Sequence, residues 1–305
     1  MTLIIATCQF PISSNILRNT GYIINQMQSA KIQGADIAHF PEACLSGYAG
    51  ADFSSYKGFD WKKLKQSTLH IIAEALKLRL WVILGSTHRL SGDHKPHNSL
   101  YIINNHGRLV SRYDKMFCAG NKMGDTSDLA HYSPGNHFCF FTLNGVRCGT
   151  LICHDYRYPE LYRQYKLHGA QVIFHSFHAG HISMKRFEKL KTDVGVEYRK
   201  YNPGSTLPGI TMPAAMITSA ADNYVWISCS NTSARQSCWS SFFVRPDGVV
   251  IGRLRLNKAG ILISKVDTKK YFYDSTAAWR NRAIKGVYHS GNLFNDIKSK
   301  DRINI

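Results

Sequence analysis

The sequence predicts an α/β fold, a mixed sheet with helices packed on it. Three observations predict this. The first third of the 305-residue chain alternates apolar runs with helical stripes. Two later segments fold back at Gly-containing turns and add antiparallel strands. Hydrophobic residues make up 44% and charged residues 19%, enough apolar material for a sizeable core.

The elements follow in order. Residues 3–8, LIIATC, form a continuous apolar run and predict a strand buried on both faces. Over 14–33, Ile16, Thr20, Ile23, Met27 and Ala30 share one helical stripe, which Gly34 ends. Residues 35–40 form a short strand stopped by Pro41. Leu64, Thr68, Ile71, Ile72, Ala75 and Leu76 mark a second amphipathic helix, and 80–86 a further buried strand. Residues 97–114 and 137–152 each predict a hairpin, turning at Asn-His-Gly and at Asn144-Gly145. A helix is expected over 158–168 and a strand over 170–176. Residues 180–210 are basic and Gly/Pro-punctuated, as in an inserted helix and loop. A helix and strand follow over 214–231, then strands near 239–245, 249–255 and 260–266. The expected organisation is one domain over 1–267 and a basic, aromatic C-terminal extension over 268–305.

Charge sets the competing class. Lys and Arg total 38 against 20 Asp and Glu, a net of +18. Such an excess attracts acidic partners, so a polyanion or nucleic-acid binder with a merely structural Cys153 is the alternative from another class. No basic block of five residues and no helix-turn-helix or RNP-like pattern supports it, so nucleic acid is not the expected partner. Eight cysteines show no CxxC spacing and several lie in apolar strands, the usage of a reducing, cytoplasmic compartment. Neither a signal peptide nor a membrane span is expected.

Three polar residues each follow an apolar run: Glu42 after IAHFP, Lys115 after LVSRYD and Cys153 after GTLI. Functional groups gather beyond strand ends in α/β sheets. A thiol can attack a carbonyl, a carboxylate can move its proton, and an ammonium can hold an oxyanion. Taken singly, each reads equally as a packed thiol, an ion-pair partner or a solvated tip.

HFPEACLSGY, RYDKMF and GTLICHDYRYPELYR resemble the glutamate, lysine and cysteine motifs of the nitrilase (carbon–nitrogen hydrolase) superfamily, in its order. The resemblance runs from ATCQFP to AGILISKVD and implies a four-layer α-β-β-α sandwich, commonly assembled as a homodimer or higher even oligomer. The C-terminal extension would then pack on a partner subunit. It implies hydrolysis of an amide or carbamoyl group, with no metal or organic cofactor, through a Cys thioester; acyl transfer to an amine is the variant within enzymes. Carried over by position, Cys153 is the nucleophile, Glu42 the base and acid, and Lys115 the oxyanion stabiliser with the backbone N–H of His154. Lys115 is expected to favour the thiolate.

Two positions depart from the pattern. Asp128 stands about where many members have a second glutamate, and serves either that role or as a capping acid. His154 replaces the usual aromatic residue, which points to amides or carbamoyl groups rather than nitriles. Tyr48 and His178 are further candidates for the substrate pocket, with His154. His175, His178 and His181 recur at steps of three, but follow a strand with no acid adjacent in sequence, so no metal site is expected. Asp155, Arg157 and Glu160 read as partners that set the turn after Cys153.

Overall fold

In the computed structural model, residues 1–121 and 126–303 are described; Gly124 and Asp125 of the loop before Asp128, and the last two residues of the extension, lie outside them. The strands are β1 (Thr2–Gln9), β2 (Ile37–His39), β3 (Trp81–His88), β4 (His97–Ile103), β5 (Leu109–Asp114), β6 (Phe140–Leu143), β7 (Val146–Ile152), β8 (Val172–Ser176), β9 (Trp226–Ser230), β10 (Phe242–Val244), β11 (Val250–Arg253) and β12 (Gly260–Asp267). They form two six-stranded sheets, ordered β12-β1-β2-β3-β4-β5 and β11-β10-β9-β8-β7-β6. Each has a parallel centre, β1-β2-β3 or β7-β8-β9, with antiparallel strands outside it. The mixed pattern read from the sequence is therefore realised twice. Pairing of β12 along the whole of β1, from Thr2↔Asp267 to Gln9↔Gly260, closes the chain on itself.

Helices α1 (Ile16–Ile32) and α2 (Trp61–Leu78) cover the first sheet. Asn15 caps α1, and its predicted stripe is buried throughout. Asp60 caps α2, whose buried face runs Leu64, Ser67, Ile71, Glu74 and Ala75. Leu76 departs from its expected core position: the helical period carries it to the edge, where it abuts the turn glycine Gly107 and stays largely exposed. Helices α3 (Pro159–Leu167) and α5 (Leu207–Asn223) cover the second sheet. The α-β-β-α sandwich is thus complete. Helix α5 begins at Leu207 rather than near 214, because Thr206 caps Gly209 N and Pro208 sits in the first turn, where its missing N–H costs nothing. The inserted stretch supplies α4 (Met184–Thr192), which buries no residue.

Polar groups stitch the sheets together. Buried His39 reaches Ser228 Oγ at 2.8 Å and Ser176 Oγ at 2.9 Å from the other sheet. Burial pulls its pKa down to about 3, so the ring stays neutral. Beyond β12, Phe272 N donates to Tyr224 Oη at 2.9 Å, and most later side chains are exposed. Among the described residues, no helix is long and apolar enough to cross a membrane.

Candidate active site

The ends of β2, β5 and β7 converge, and with them Glu42, Lys115 and Cys153. The crossing at Glu42 depends on Gly85 of β3. A Cβ there would lie 2.0 Å from Pro41 O, so only glycine lets the 41–43 backbone pass. Gly85 O then accepts from Leu45 N at 2.9 Å. Ala43, directly after Glu42, has φ +50°. Cys153 has φ +38° at the β7 exit. Both are left-handed residues that the surrounding packing must enforce.

Asp155 does much of that enforcing. Its Oδ2 accepts from Ile152 N at 2.9 Å and Tyr113 Oη at 2.8 Å, and Oδ1 accepts from Phe117 N at 3.0 Å. It thereby ties the turn at Cys153 to the end of β5, a positioning role as the sequence suggests. Burial pushes its pKa up to about 6. His175 donates from Nε2 to Cys153 O at 3.2 Å, while its Nδ1 accepts from Tyr162 Oη at 2.6 Å. This fixes a neutral tautomer, which burial favours.

Lys115 is 1% exposed and Glu42 0%. Lys115 Nζ donates to Glu42 Oε1 at 2.9 Å and Asp128 Oδ2 at 2.6 Å. Burial opposes its charge, but Asp128 and Glu42 outweigh that and hold it protonated well above the ordinary lysine range. Asn98 Nδ2 also donates to Glu42 Oε1, at 2.7 Å. Glu42 Oε2 is buried and has no hydrogen-bond partner among the described residues.

Asp128 is buried, not an exposed loop acid. Besides Lys115 it accepts from Ala119 N at 2.9 Å and from Tyr48 Oη. Burial raises its pKa, yet Lys115 and these donors bring it below the usual carboxylate value. Lys115 favours the thiolate as expected, but burial first, then Glu42, push the Cys153 thiol well up and outweigh it. The single positive charge of Lys115 already faces two carboxylates, so the resting sulfur is a thiol and not a thiolate.

A cavity of about 440 Å³ collects the candidates: Tyr48, Lys115, Asp128, Cys153, His154 and His178 all line it. His154 is half-buried, its ring edge-on to Tyr158 at 5.9 Å. Burial lowers its pKa, with Lys115 acting in the same direction. Tyr48 stacks on His178 with centroids 5.0 Å apart. The three stepped histidines diverge: His175 turns to Tyr162, while His178 and His181 flank Asp52. The fold supplies this acid from a loop some 130 residues earlier in sequence. Among the described residues, no group of His, Cys, Asp and Glu is arranged to hold a metal ion. Arg157 lies over the Tyr156 ring at 4.7 Å and does not line the cavity. A 540 Å³ groove between α2 and the β3–β4 strands has no cysteine or carboxylate among its lining residues. Sequence reading missed Asn98, Asp52 and Gly85. Asn98 was detectable as a polar residue at the start of an apolar strand, whereas Asp52 and Gly85 gave no local signal.

Several comparisons bear on this arrangement. The family model described as Carbon-nitrogen hydrolase matches residues 4–271. The Staphylococcus lugdunensis protein called "Hydrolase in agr operon" is 31% identical over 144 residues, 46% of this chain and 57% of that protein. A 2-oxoglutaramate amidase of Bacillus subtilis is 26% identical over 148 residues, 46% of this chain and 51% of its own. The matches thus span about half the length of these curated relatives. An amidase from Nesterenkonia sp. shares the fold, with TM-score 0.68 at 19% identity over 87% of this chain and 90% of its own. A glutamine-for-glutamate variant of the Nesterenkonia sp. AN1 amidase carries the acetamide moiety of fluoroacetamide covalently at its active-site cysteine. It matches with TM-score 0.69 at 18% identity, over 92% of this chain and 96% of that one. With the motifs in order and the family model covering most of the chain, this protein belongs to the carbon–nitrogen hydrolase family.

Proposed function

We propose that the protein hydrolyses a non-peptide carbon–nitrogen bond of an amide or carbamoyl group, with Cys153 as nucleophile. The observation that carries this reading is the unpartnered Glu42 Oε2, buried behind Lys115 and close enough to act electrostatically on the protonated Cys153 thiol, which lines one cavity with Lys115. A carboxylate oxygen with a free lone pair is the proton acceptor that a neutral thiol needs before it attacks.

Cys153 Sγ attacks the carbonyl carbon as Glu42 takes the thiol proton. Lys115 has three N–H bonds, and Glu42 and Asp128 use two. The third is available for the developing oxyanion, together with the backbone N–H of His154. Glu42 passes its proton to the leaving nitrogen, the C–N bond breaks, and ammonia or an amine departs. Water gives its proton to Glu42 and its oxygen to the thioester carbon. The carboxylic acid leaves and Sγ regains a proton. Asp128 and Tyr48 keep Lys115 aimed through the cycle. The amidase names among the relatives support the amide class, and the covalent adduct on the active-site cysteine of a structural neighbour supports a nucleophilic thiol.

The test is ammonia release from a panel of primary amides, ω-amides and N-carbamoyl amino acids. Release is expected from at least one class and is expected to vanish in Cys153→Ala. Release that persists in that variant, or none from any substrate, sinks the reading.

A further inference from the structure

Resting on that reading, we propose that Asn98 is the positioning residue of Glu42: it holds one carboxylate oxygen and so keeps the other free for proton transfer. Two donors converge on Glu42, and both meet the same oxygen. Lys115 Nζ reaches Oε1 at 2.9 Å, and Asn98 Nδ2 reaches it at 2.7 Å. An ionised carboxylate has about four lone-pair sites over its two oxygens. Oε1 uses two of them, while buried Oε2 has no partner among the described residues.

One donor does not fix that arrangement. The last torsion of a glutamate is broad, so with Lys115 alone the carboxyl can swing until the ammonium bridges both oxygens. Asn98 holds Oε1 from a second strand, and the swing would break its bond. The hold also survives the proton transfer. When Oε2 takes a proton, Oε1 remains an acceptor for both donors, so the proton is returned from the same place.

Asn98 is itself fixed. It lies in β4 opposite Thr87 of β3, and its carbonyl accepts from Lys115 N at 2.9 Å. One residue thus grips Glu42 with its side chain and Lys115 with its main chain. It is fully buried and does not line the cavity, so it acts through Glu42 and not on a bound amide. Its own Oδ1 is buried without a partner among the described residues. An orphaned buried acceptor destabilises the fold, and an apolar side chain of similar size would carry none. An amide kept in that place points to a need for its N–H.

The experiment measures kcat and KM in Asn98→Leu and Asn98→Asp for an amide that the wild type hydrolyses. Asn98→Leu removes the donor, so kcat should fall about 10- to 100-fold while KM changes less than about threefold. Asn98→Asp keeps the shape but presents an acceptor to Oε1, so its kcat should fall at least as far. Loss of packing alone would spare this closer isostere. Wild-type kcat in either variant, or a loss confined to KM, overturns the proposal. Alkylation of Cys153 by iodoacetamide, followed by peptide mass spectrometry, tests the same oxygen without amide cleavage. Sγ bonds to the methylene carbon, iodide leaves and the thiol proton passes to Glu42. At neutral pH the rate should fall about tenfold or more in both variants. If the wild type hydrolyses no amide, the hydrolase reading fails separately, and a wild-type alkylation rate in the variants overturns the role of Asn98. If Asn98→Leu does not fold, Asn98→Asp is judged by the same two measurements.

Discussion

The two sheets bring different things to one cavity. The first delivers Glu42 and Lys115 on strand ends and holds them, with Asp128, in a buried ion-pair network with little exposed surface. The second delivers Cys153 on a strained turn, and then a segment whose residues reach the cavity from an exposed helix. The first is compensated and rigid, the second partly open. The difference teaches that one cavity can join a buried, charge-compensated wall to a more exposed one. The charges of the first sheet are buried and paired, while the stretch after β8 borders the same cavity from outside the core.

The sharpest way to break this division is Lys115→Met. It leaves two carboxylates buried without their counter-ion, so stability should fall by about 3–5 kcal/mol in denaturant titration. Turnover should fall by about 100-fold or more, as for loss of an oxyanion donor. Full stability in this variant would mean that the first wall does not depend on charge balance. Gly85→Ala comes next. Its Cβ would strike the Pro41 carbonyl, so a loss of about 3 kcal/mol in thermal unfolding is expected, with displaced Glu42 and lowered kcat.

Asp155→Asn tests the link between sheets. Losing an acceptor at a buried site should cost about 1–3 kcal/mol. The pH dependence adds a sign. Asp155 has its folded pKa raised to about 6, above an unfolded value of about 3.9. The folded state therefore binds more protons between these values, and this carboxyl lowers stability as pH rises through that window. Asp128 acts oppositely. Its folded pKa is lowered, so its contribution is present above the unfolded value and lost as pH falls through the folded one. Urea titrations from pH 4 to 6.5 should show a flatter loss with rising pH in Asp155→Asn than in the wild type. An identical slope would remove Asp155 as the titrating group. The smallest effect belongs to His154→Tyr. Its half-buried ring is not paired to a charge, so kcat/KM should change by less than about tenfold, mainly through KM.

How much of this was legible in the chain depends on the range of the interaction. The apolar strands, the Asn15 and Asp60 caps and the Asn144-Gly145 turn are local, and the sequence carries them. Glu42, Lys115 and Cys153 were legible because each breaks an apolar run, and because motif order links them. Leu76 was misplaced because stripe reading cannot say which edge of a helix faces a neighbour.

By itself, the sequence determined the α/β alternation, three polar strand ends and a strongly basic surface, since these follow from periodicity and composition. Only the tertiary structure decided which strands fall in which sheet, that Asp128 is buried against Lys115, and that Asp52 meets His178. It also decided that burial and Glu42 outweigh Lys115 at Cys153. A thiol's ionisation depends on the sum of burial and nearby charge, and Glu42 and Asp128 reach it from segments far apart in the chain.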